Sequence, residues 1–204
     1  EISDLVRCNR VRKTIKKINI QALIHILKSK STNKQFVSYI PRNDQIIIIG
    51  KSVIHFQQYD KGMLVLMCGV GKTLISLWIT QELNSNTILI GVPNKLLLKQ
   101  WEEVICVLFQ SVPYLIVSGG VDTENIMRFL ENNQKKCIVI TTYSSAHKVY
   151  TATQDTTFVF SMKILDEVHH LTTNNMRESH TTKKYIQMLN ISSVKQLSLT
   201  ATLK

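Results

Sequence analysis

The chain has 204 residues, 44% of them hydrophobic and 19% charged, with a formal net charge of +11. That is enough apolar material for a real core, which excludes disorder as the main state. The longest apolar runs, Ile46–Ile49 and Met63–Cys68, fall far short of the roughly 18–20 residues a membrane span needs. The four cysteines, Cys8, Cys68, Cys106 and Cys137, form no close pairs, which argues against a disulfide scaffold or a zinc site and for a reducing, intracellular compartment. No signal peptide opens the chain, and it begins at Glu1 rather than Met, so it reads as a piece of a longer protein.

Nine of the Lys and Arg residues, against two acids, lie in the first forty residues. Val11, Ile15 and Ile18 recur there at helical spacing, with Arg10, Arg12, Lys13, Lys16 and Lys17 between them. Residues 1–40 therefore read as a basic helical extension. A helix lying along a nucleic-acid backbone and a solvated face on a packing helix both account for it.

From residue 41 the pattern changes. Strands are expected at Met63–Met67, Thr87–Val92, Tyr114–Val117, Cys137–Thr141, Met162–Leu165 and Gln196–Leu199. Helices are expected between them. Leu97, Trp101, Val104, Ile105 and Leu108 make one apolar helical face. Strands apolar on both faces and separated by helices predict an α/β fold, a parallel sheet covered on both sides.

Cys68-Gly69-Val70-Gly71-Lys72-Thr73 follows an apolar strand and precedes a helical run, the setting a phosphate-binding loop requires. Gly69 and Gly71 let backbone N–H groups turn toward phosphates. Lys72 would reach the β- and γ-phosphates of ATP, and Thr73 would offer its hydroxyl to Mg²⁺. The strict pattern has a further glycine where this chain has Leu66.

About ninety residues on stands Asp166-Glu167-Val168-His169-His170, at the end of an apolar strand. Two acids beside two histidines alone fit a metal site or a solvated turn. In a parallel sheet carrying a phosphate loop, Asp166 would meet Thr73 across Mg²⁺, and Glu167 would polarise the attacking water.

Gly69–Thr73, Asp166–His169 and Thr200-Ala201-Thr202, in that order, resemble motifs one, two and three of superfamily-two helicases of the DExH type. The resemblance covers residues 41–204, the first RecA-like lobe of such P-loop NTPases. It implies ATP and Mg²⁺ as cofactors, and DNA or RNA as partner. It also implies that the lobe couples ATP hydrolysis to translocation or unwinding.

Residue by residue, Gln45 resembles the glutamine that reads adenine, with Arg42 or Asn43 as partners in that role. Lys72, Asp166, Glu167 and His169 take the catalytic positions. Pro93, Asn94 and Lys95 resemble motif Ia, and Gly119 and Gly120 a glycine pair that approaches the strand backbone. Thr141-Thr142-Tyr143 resembles motif Ib, whose hydroxyls bond phosphates or support groups that do. Leu98 and Trp101 are expected simply to pack. Thr200 and Thr202 resemble the coupling residues of motif three.

The second RecA-like lobe is absent from the chain, so residues 1–204 alone are expected to bind ATP weakly and hydrolyse it negligibly. The composition is also similar in style to helicases of large DNA viruses, which would make the protein virus-encoded and place it in cytoplasm or nucleus. A P-loop NTPase acting on something else, and a non-catalytic nucleic-acid-binding module, are the alternatives. Intact Lys72, Thr73, Asp166 and Glu167 argue against the second.

Overall fold

A computed structural model describes residues 39–171 and 180–201. Residues 1–38 of the expected basic extension (1–40) and Thr202 lie outside the described residues. In chain order the elements are α1 (Asn43–Gln58), β1 (Lys61–Val65), α2 (Lys72–Glu82), β2 (Thr87–Val92), α3 (Lys95–Leu108), β3 (Tyr114–Val117), α4 (Thr123–Asn132), β4 (Cys137–Thr142), α5 (Ala146–Thr156), β5 (Phe160–Leu165), α6 (His180–Asn190) and β6 (Ser193–Thr200). Short 3₁₀ turns occupy Tyr143–Ser145 and Val168–Leu171.

The six strands form one sheet in the order β1-β6-β5-β2-β4-β3, and every neighbouring pair is parallel. Every residue of β2 and β4 is buried, as expected for central parallel strands. Alternation along each strand divides the core. Ile88, Ile90, Ile138 and Ile140 face one way and pack with Phe56 of α1, Ile75 and Ile79 of α2, and Trp101 and Ile105 of α3. Leu89, Cys137 and Val139 face the other way and pack with Ile126 and Leu130 of α4, Val149 of α5 and Met188 of α6. Helices thus cover both faces, and the fold is RecA-like.

The helix starts follow from local chemistry. Asn94 Oδ1 accepts from the Leu97 N–H at 3.0 Å and Asp122 Oδ1 from the Asn125 N–H at 2.9 Å, each satisfying a first-turn donor. Gln45 Oε1 accepts from the Arg42 N–H at 2.9 Å at the start of α1, the return half of a capping box.

Four strands differ in their bounds from the sequence expectation: β4 runs one residue further, to Thr142, β5 begins two residues earlier, at Phe160, and β1 and β6 differ more. β1 runs over Lys61–Val65 rather than Met63–Met67, because its ladder with β6 ends at Val65 and Thr200. Leu66 and Met67 belong to the loop that follows. β6 is longer than Gln196–Leu199 and begins at Ser193.

A parallel sheet sends all strand C-termini to one rim. The opposite rim carries the turn Asn84–Asn86 before β2, the Ser111–Pro113 approach to β3 and Lys136 before β4. A shallow polar cavity of about 240 Å³ lies there, among Asn84, Asn86, Gln110, Ser111 and Lys136.

Candidate nucleotide site and adjoining loops

The C-terminal rim divides along the strand order. β1, β6 and β5 end in the phosphate loop, in Thr200-Ala201 and in Asp166-Glu167. β2, β4 and β3 end in Pro93–Lys95, in Thr142–Ser145 and in Ser118–Gly120. The residues singled out above therefore fall into two adjacent groups, which meet where β5 pairs with β2.

In the phosphate loop, Gly69 and Gly71 have φ of +84° and +92°, a region open at low cost only to glycine. Gly71 also stands at the N-cap of α2, where no side chain caps the helix. The first N–H groups of α2 are thus left for an anion, and the helix dipole favours one there. A Cβ on Gly71 would meet Gln45 Nε2 at 2.8 Å. Gln45 is buried and donates from Nε2 to the Val70 carbonyl at 2.9 Å. Arg42 donates to the same carbonyl at 3.3 Å. Both ends of the Gln45 amide are therefore engaged by the chain's own backbone.

Lys72 Nζ donates to the Leu66 carbonyl at 3.2 Å and lies 3.8 Å from Glu167 Oε1. Cys68 is exposed at the head of the loop, while Val70 and Thr73 are half-buried.

Asp166 is buried, and its polar atoms are held from several directions. Oδ2 accepts from Trp101 Nε1–H at 2.8 Å, and Oδ1 accepts from the Glu167 N–H at 3.0 Å. Its own N–H donates to the Gly91 carbonyl at 2.9 Å, and its carbonyl accepts from the Tyr143 hydroxyl. Burial pushes the Asp166 carboxyl above the usual carboxylate range, the neighbouring Glu167 adds to the rise, and the Trp101 N–H and the Lys72 ammonium oppose it. Burial likewise lifts the Tyr143 hydroxyl well above its ordinary value, which keeps it protonated as a donor.

Glu167 has φ +48°, an uncommon setting for a side chain of that size. Its Oε2 is buried and makes no hydrogen bond, although His169 Nδ1 lies 3.4 Å away. His169 Nδ1 is also 3.4 Å from the Thr200 hydroxyl. Lys72, Glu167, His169 and Thr200 thus run in one line from the phosphate loop to the end of β6.

This donor set fits magnesium. The Asp166 carboxylate, whose two oxygens each accept one hydrogen bond and keep lone-pair capacity, and the Thr73 hydroxyl are hard oxygen groups of the kind Mg²⁺ takes, and the unbonded Glu167 Oε2 beside them is left for a water. Among the described residues no three His, Cys, Asp or Glu side chains are placed to hold a metal by themselves. A magnesium ion would therefore lean on the nucleotide's phosphates, as Mg²⁺ commonly does.

On the other half of the rim, Asn94 and Lys95 are exposed at the start of α3, and Pro93 is half-buried. Gly119 and Gly120 are exposed, and among the described residues nothing comes within 4 Å of a Cβ built on either. Lys148 donates to the Gly119 carbonyl at 3.1 Å and the Val121 carbonyl at 2.6 Å, fixing that loop. Thr141 and Thr142 are buried. The Thr141 hydroxyl bonds the Thr142 carbonyl, and the Thr142 hydroxyl pairs with those of Ser144 and Ser145. Ser144 is the exposed member of that group.

Three residues gain a place beyond the sequence reading. Trp101 packs, as expected, and also hydrogen-bonds Asp166. Tyr143 bonds the Asp166 backbone, and Lys148 holds the glycine loop. In sequence, Trp101 follows the motif Ia residues and Tyr143 closes the motif Ib match, but neither position points to Asp166.

The family model described as type III restriction enzyme, res subunit, matches residues 12–204. The DNA 3'-5' translocase XPB2 of Sulfurisphaera tokodaii is 34% identical over 111 residues, covering 54% of this chain and 22% of that protein. The chain thus spans about a fifth of that relative's length. Among solved structures, the type ISP restriction-modification enzyme LlaBIII bound to DNA matches with TM-score 0.69 at 22% identity, over 80% of this chain and 13% of that one. The Sulfolobus solfataricus SWI2/SNF2 ATPase core in complex with dsDNA matches with TM-score 0.59 at 17% identity, over 81% of this chain and 32% of that one. Likeness at those identities shows the fold alone. The family match over residues 12–204 adds what the fold does not, and by it this chain belongs to the type III restriction enzyme res subunit family, as a first RecA-like lobe of the superfamily-two helicase kind.

Proposed function

We propose that the chain is the ATP-binding lobe of a nucleic-acid-dependent motor that couples ATP hydrolysis to translocation or unwinding. The observation that carries this reading is the divided rim, with phosphate-loop and acidic residues on one half and exposed, phosphate-ready backbone on the other.

In the nucleotide half, the N–H groups of residues 68–73 and the uncapped start of α2 hold the phosphates. Lys72 leaves the Leu66 carbonyl for the β- and γ-phosphates, while Thr73 and Asp166 hold Mg²⁺. Magnesium, when bound, supplies charge neutralisation on the phosphate oxygens. Glu167 orients and polarises the attacking water. His169 links that carboxylate to Thr200, and Thr202 continues the coupling role. Gln45 shapes the loop through Val70, and adenine selection falls to it or to Arg42 or Asn43.

In the other half, Pro93, Asn94 and Lys95 with the start of α3, Gly119 and Gly120, and Ser144 supported by Thr141 and Thr142 contact a phosphodiester backbone. Contacts of that kind carry affinity without a sequence code, which suits a motor. The open space at Gly119 and Gly120 supports the reading, because no neighbour among the described residues requires glycine there. We further propose that residues 1–40 add a basic contact to the same polymer. A second RecA-like lobe, from outside residues 1–204, would close over the nucleotide and make turnover fast. The free cysteines suit an intracellular site of action.

The test is ATP turnover by the whole protein with no polymer, with duplex DNA, with single-stranded DNA and with RNA, beside Lys72→Ala. Duplex DNA comes first, because LlaBIII and the SWI2/SNF2 core were solved on DNA. Stimulation by one polymer, abolished by Lys72→Ala, is the expected result. Turnover indifferent to every polymer would overturn the reading in favour of an NTPase with another target.

A further inference from the structure

Asp166 sits at the end of β5, beside the seam between the two halves of the rim. Two of its hydrogen bonds come from the far side of that seam. Trp101 Nε1–H reaches its carboxylate at 2.8 Å, and the Tyr143 hydroxyl reaches its carbonyl. Trp101 lies on α3, the helix whose first turn exposes Lys95 and whose cap is Asn94. Tyr143 directly follows Thr142 and precedes the exposed Ser144. Both donors are buried, so neither can touch a polymer itself.

We infer that Trp101 and Tyr143 are positioning residues that transmit occupancy of the polymer-facing loops to Asp166, and so set the Asp166-Glu167 geometry when nucleic acid is bound. The inference rests on the function proposed above.

Spatial intermediacy alone is weak ground for a coupling claim, and here the attachment is more direct than that. One donor fixes the side chain of Asp166 and the other fixes its carbonyl, which belongs to the peptide joining it to Glu167. Glu167 is held at φ +48°, a backbone setting that persists only where surrounding contacts over-determine it. A small shift of either donor therefore acts on a strained peptide that carries both acids. A helix is also a stiff body, so a displacement at Asn94 or Lys95 reaches Trp101 less than two turns away.

The packing at Gly91 makes the second contact possible. A Cβ at Gly91 would stand 2.8 Å from Tyr143 Cε1. Only a residue without a side chain lets the ring come close enough to β2 for its hydroxyl to meet Asp166. Gly91 also accepts the Asp166 N–H, so one residue of β2 seats both the donor and its target.

The experiment is a binding cycle on the whole protein, made with wild type, Trp101→Phe and Tyr143→Phe. The polymer is the one that stimulates turnover in the preceding test, starting with fluorescent duplex DNA. Its affinity is measured by anisotropy without nucleotide and with Mg²⁺ and a non-hydrolysable ATP analogue. ATP turnover is measured with and without the polymer. In the wild type, nucleotide and polymer should change each other's affinity by one common factor. Each variant should bring that factor down toward one, by about fivefold or more, and the ratio of stimulated to unstimulated kcat should fall with it. Polymer affinity without nucleotide should stay within about twofold, a split that mere loss of structure would not produce.

Tyr143→Phe keeps the ring and removes only the hydroxyl, so it carries the test if Trp101→Phe fails to fold. Full coupling in Tyr143→Phe and in any folded Trp101→Phe would overturn the inference and leave the proposed function standing. Weakened polymer binding without nucleotide, equal to the loss with it, would overturn it in favour of a structural role. A wild type indifferent to every polymer would overturn the proposed function itself.

Discussion

Gln45 Nε2 donates to the carbonyl of Val70 from 2.9 Å and stands 2.8 Å from where a Cβ on Gly71 would lie. The first helix of the described residues thus props the phosphate loop from behind, with its amide also closing the start of that helix at Arg42. Gln45→Ala should loosen the loop and weaken ATP and GTP alike, by about fivefold, the cost of one buried hydrogen bond. Nucleotide affinities measured side by side check this. A loss confined to ATP would assign Gln45 to the base instead.

Glu167 combines a left-handed backbone with a buried oxygen that makes no hydrogen bond. Strain and desolvation of that kind each cost on the order of 1–3 kcal/mol and concentrate at working sites. Glu167→Gly should therefore raise Tm, by about 2–4 °C for each kcal/mol relieved, while turnover is lost. Glu167→Gln, which keeps the shape, should retain nucleotide binding and stop hydrolysis. Calorimetry and a nucleotide titration separate the two effects. A lower Tm in Glu167→Gly would mean that its contacts with Lys72 and His169 outweigh the strain.

Lys163 is buried in β5, and its ammonium donates to the carbonyls of Met188, Leu189 and Ile191 where α6 ends. Burial brings its pKa down from 10.5 to about 8, with Lys61 adding to the fall. The folded state thus releases this proton more readily than the unfolded chain does. Between about pH 8 and 10.5 the unfolded state binds more protons, so stability rises with pH across that window. Below it the charged, buried amine costs stability in full. Against Lys163→Met, the wild type should gain up to about 1.4 kcal/mol per pH unit within the window. Denaturant melts of both proteins at pH 7.5, 8.5 and 9.5 would show the gap closing or widening, and parallel curves would refute the assignment.

Lys95 is exposed at the first turn of α3, beside the capping Asn94. If it neutralises one backbone phosphate, Lys95→Ala should weaken polymer binding similarly across sequences. It should also reduce the slope of log affinity against log salt by about one. Binding titrations at three salt concentrations decide this, and an unchanged slope would remove Lys95 from the interface.

The central fold was legible because its signals are local. The ends of β2 and β3 fall where Pro93 and the Ser118-Gly119-Gly120 turn interrupt apolar runs, and the phosphate loop announces itself by residue type at fixed spacing. β1 was misplaced because Leu66 and Met67 extend an apolar run past the last ladder pair, Val65 with Thr200, and pairing is invisible in one strand's composition. β6 reads too short in sequence because Ser193 and Lys195 are polar, although both pair with β5, opposite Phe160 and Met162. Trp101 lies 65 residues from Asp166 and Tyr143 lies 23 from it. Trp101 looks like a core aromatic in sequence and Tyr143 like the end of motif Ib, and neither points to Asp166, since a hydrogen bond made only through the tertiary fold leaves no periodic trace.

Because the strands all run one way, the rim at Asn84–Asn86 and Lys136 lies at the other end of the sheet from the phosphate loop, Asp166-Glu167 and the loops that follow β2, β3 and β4. That makes it the natural handle for tethering the protein to a surface or a bead. Asn86→Cys would carry such a linkage without loading either half of the working rim. Cys8, Cys106 and Cys68, the last exposed on the phosphate loop, would have to be removed first, and a dye left on Cys68 would instead report directly on nucleotide arrival.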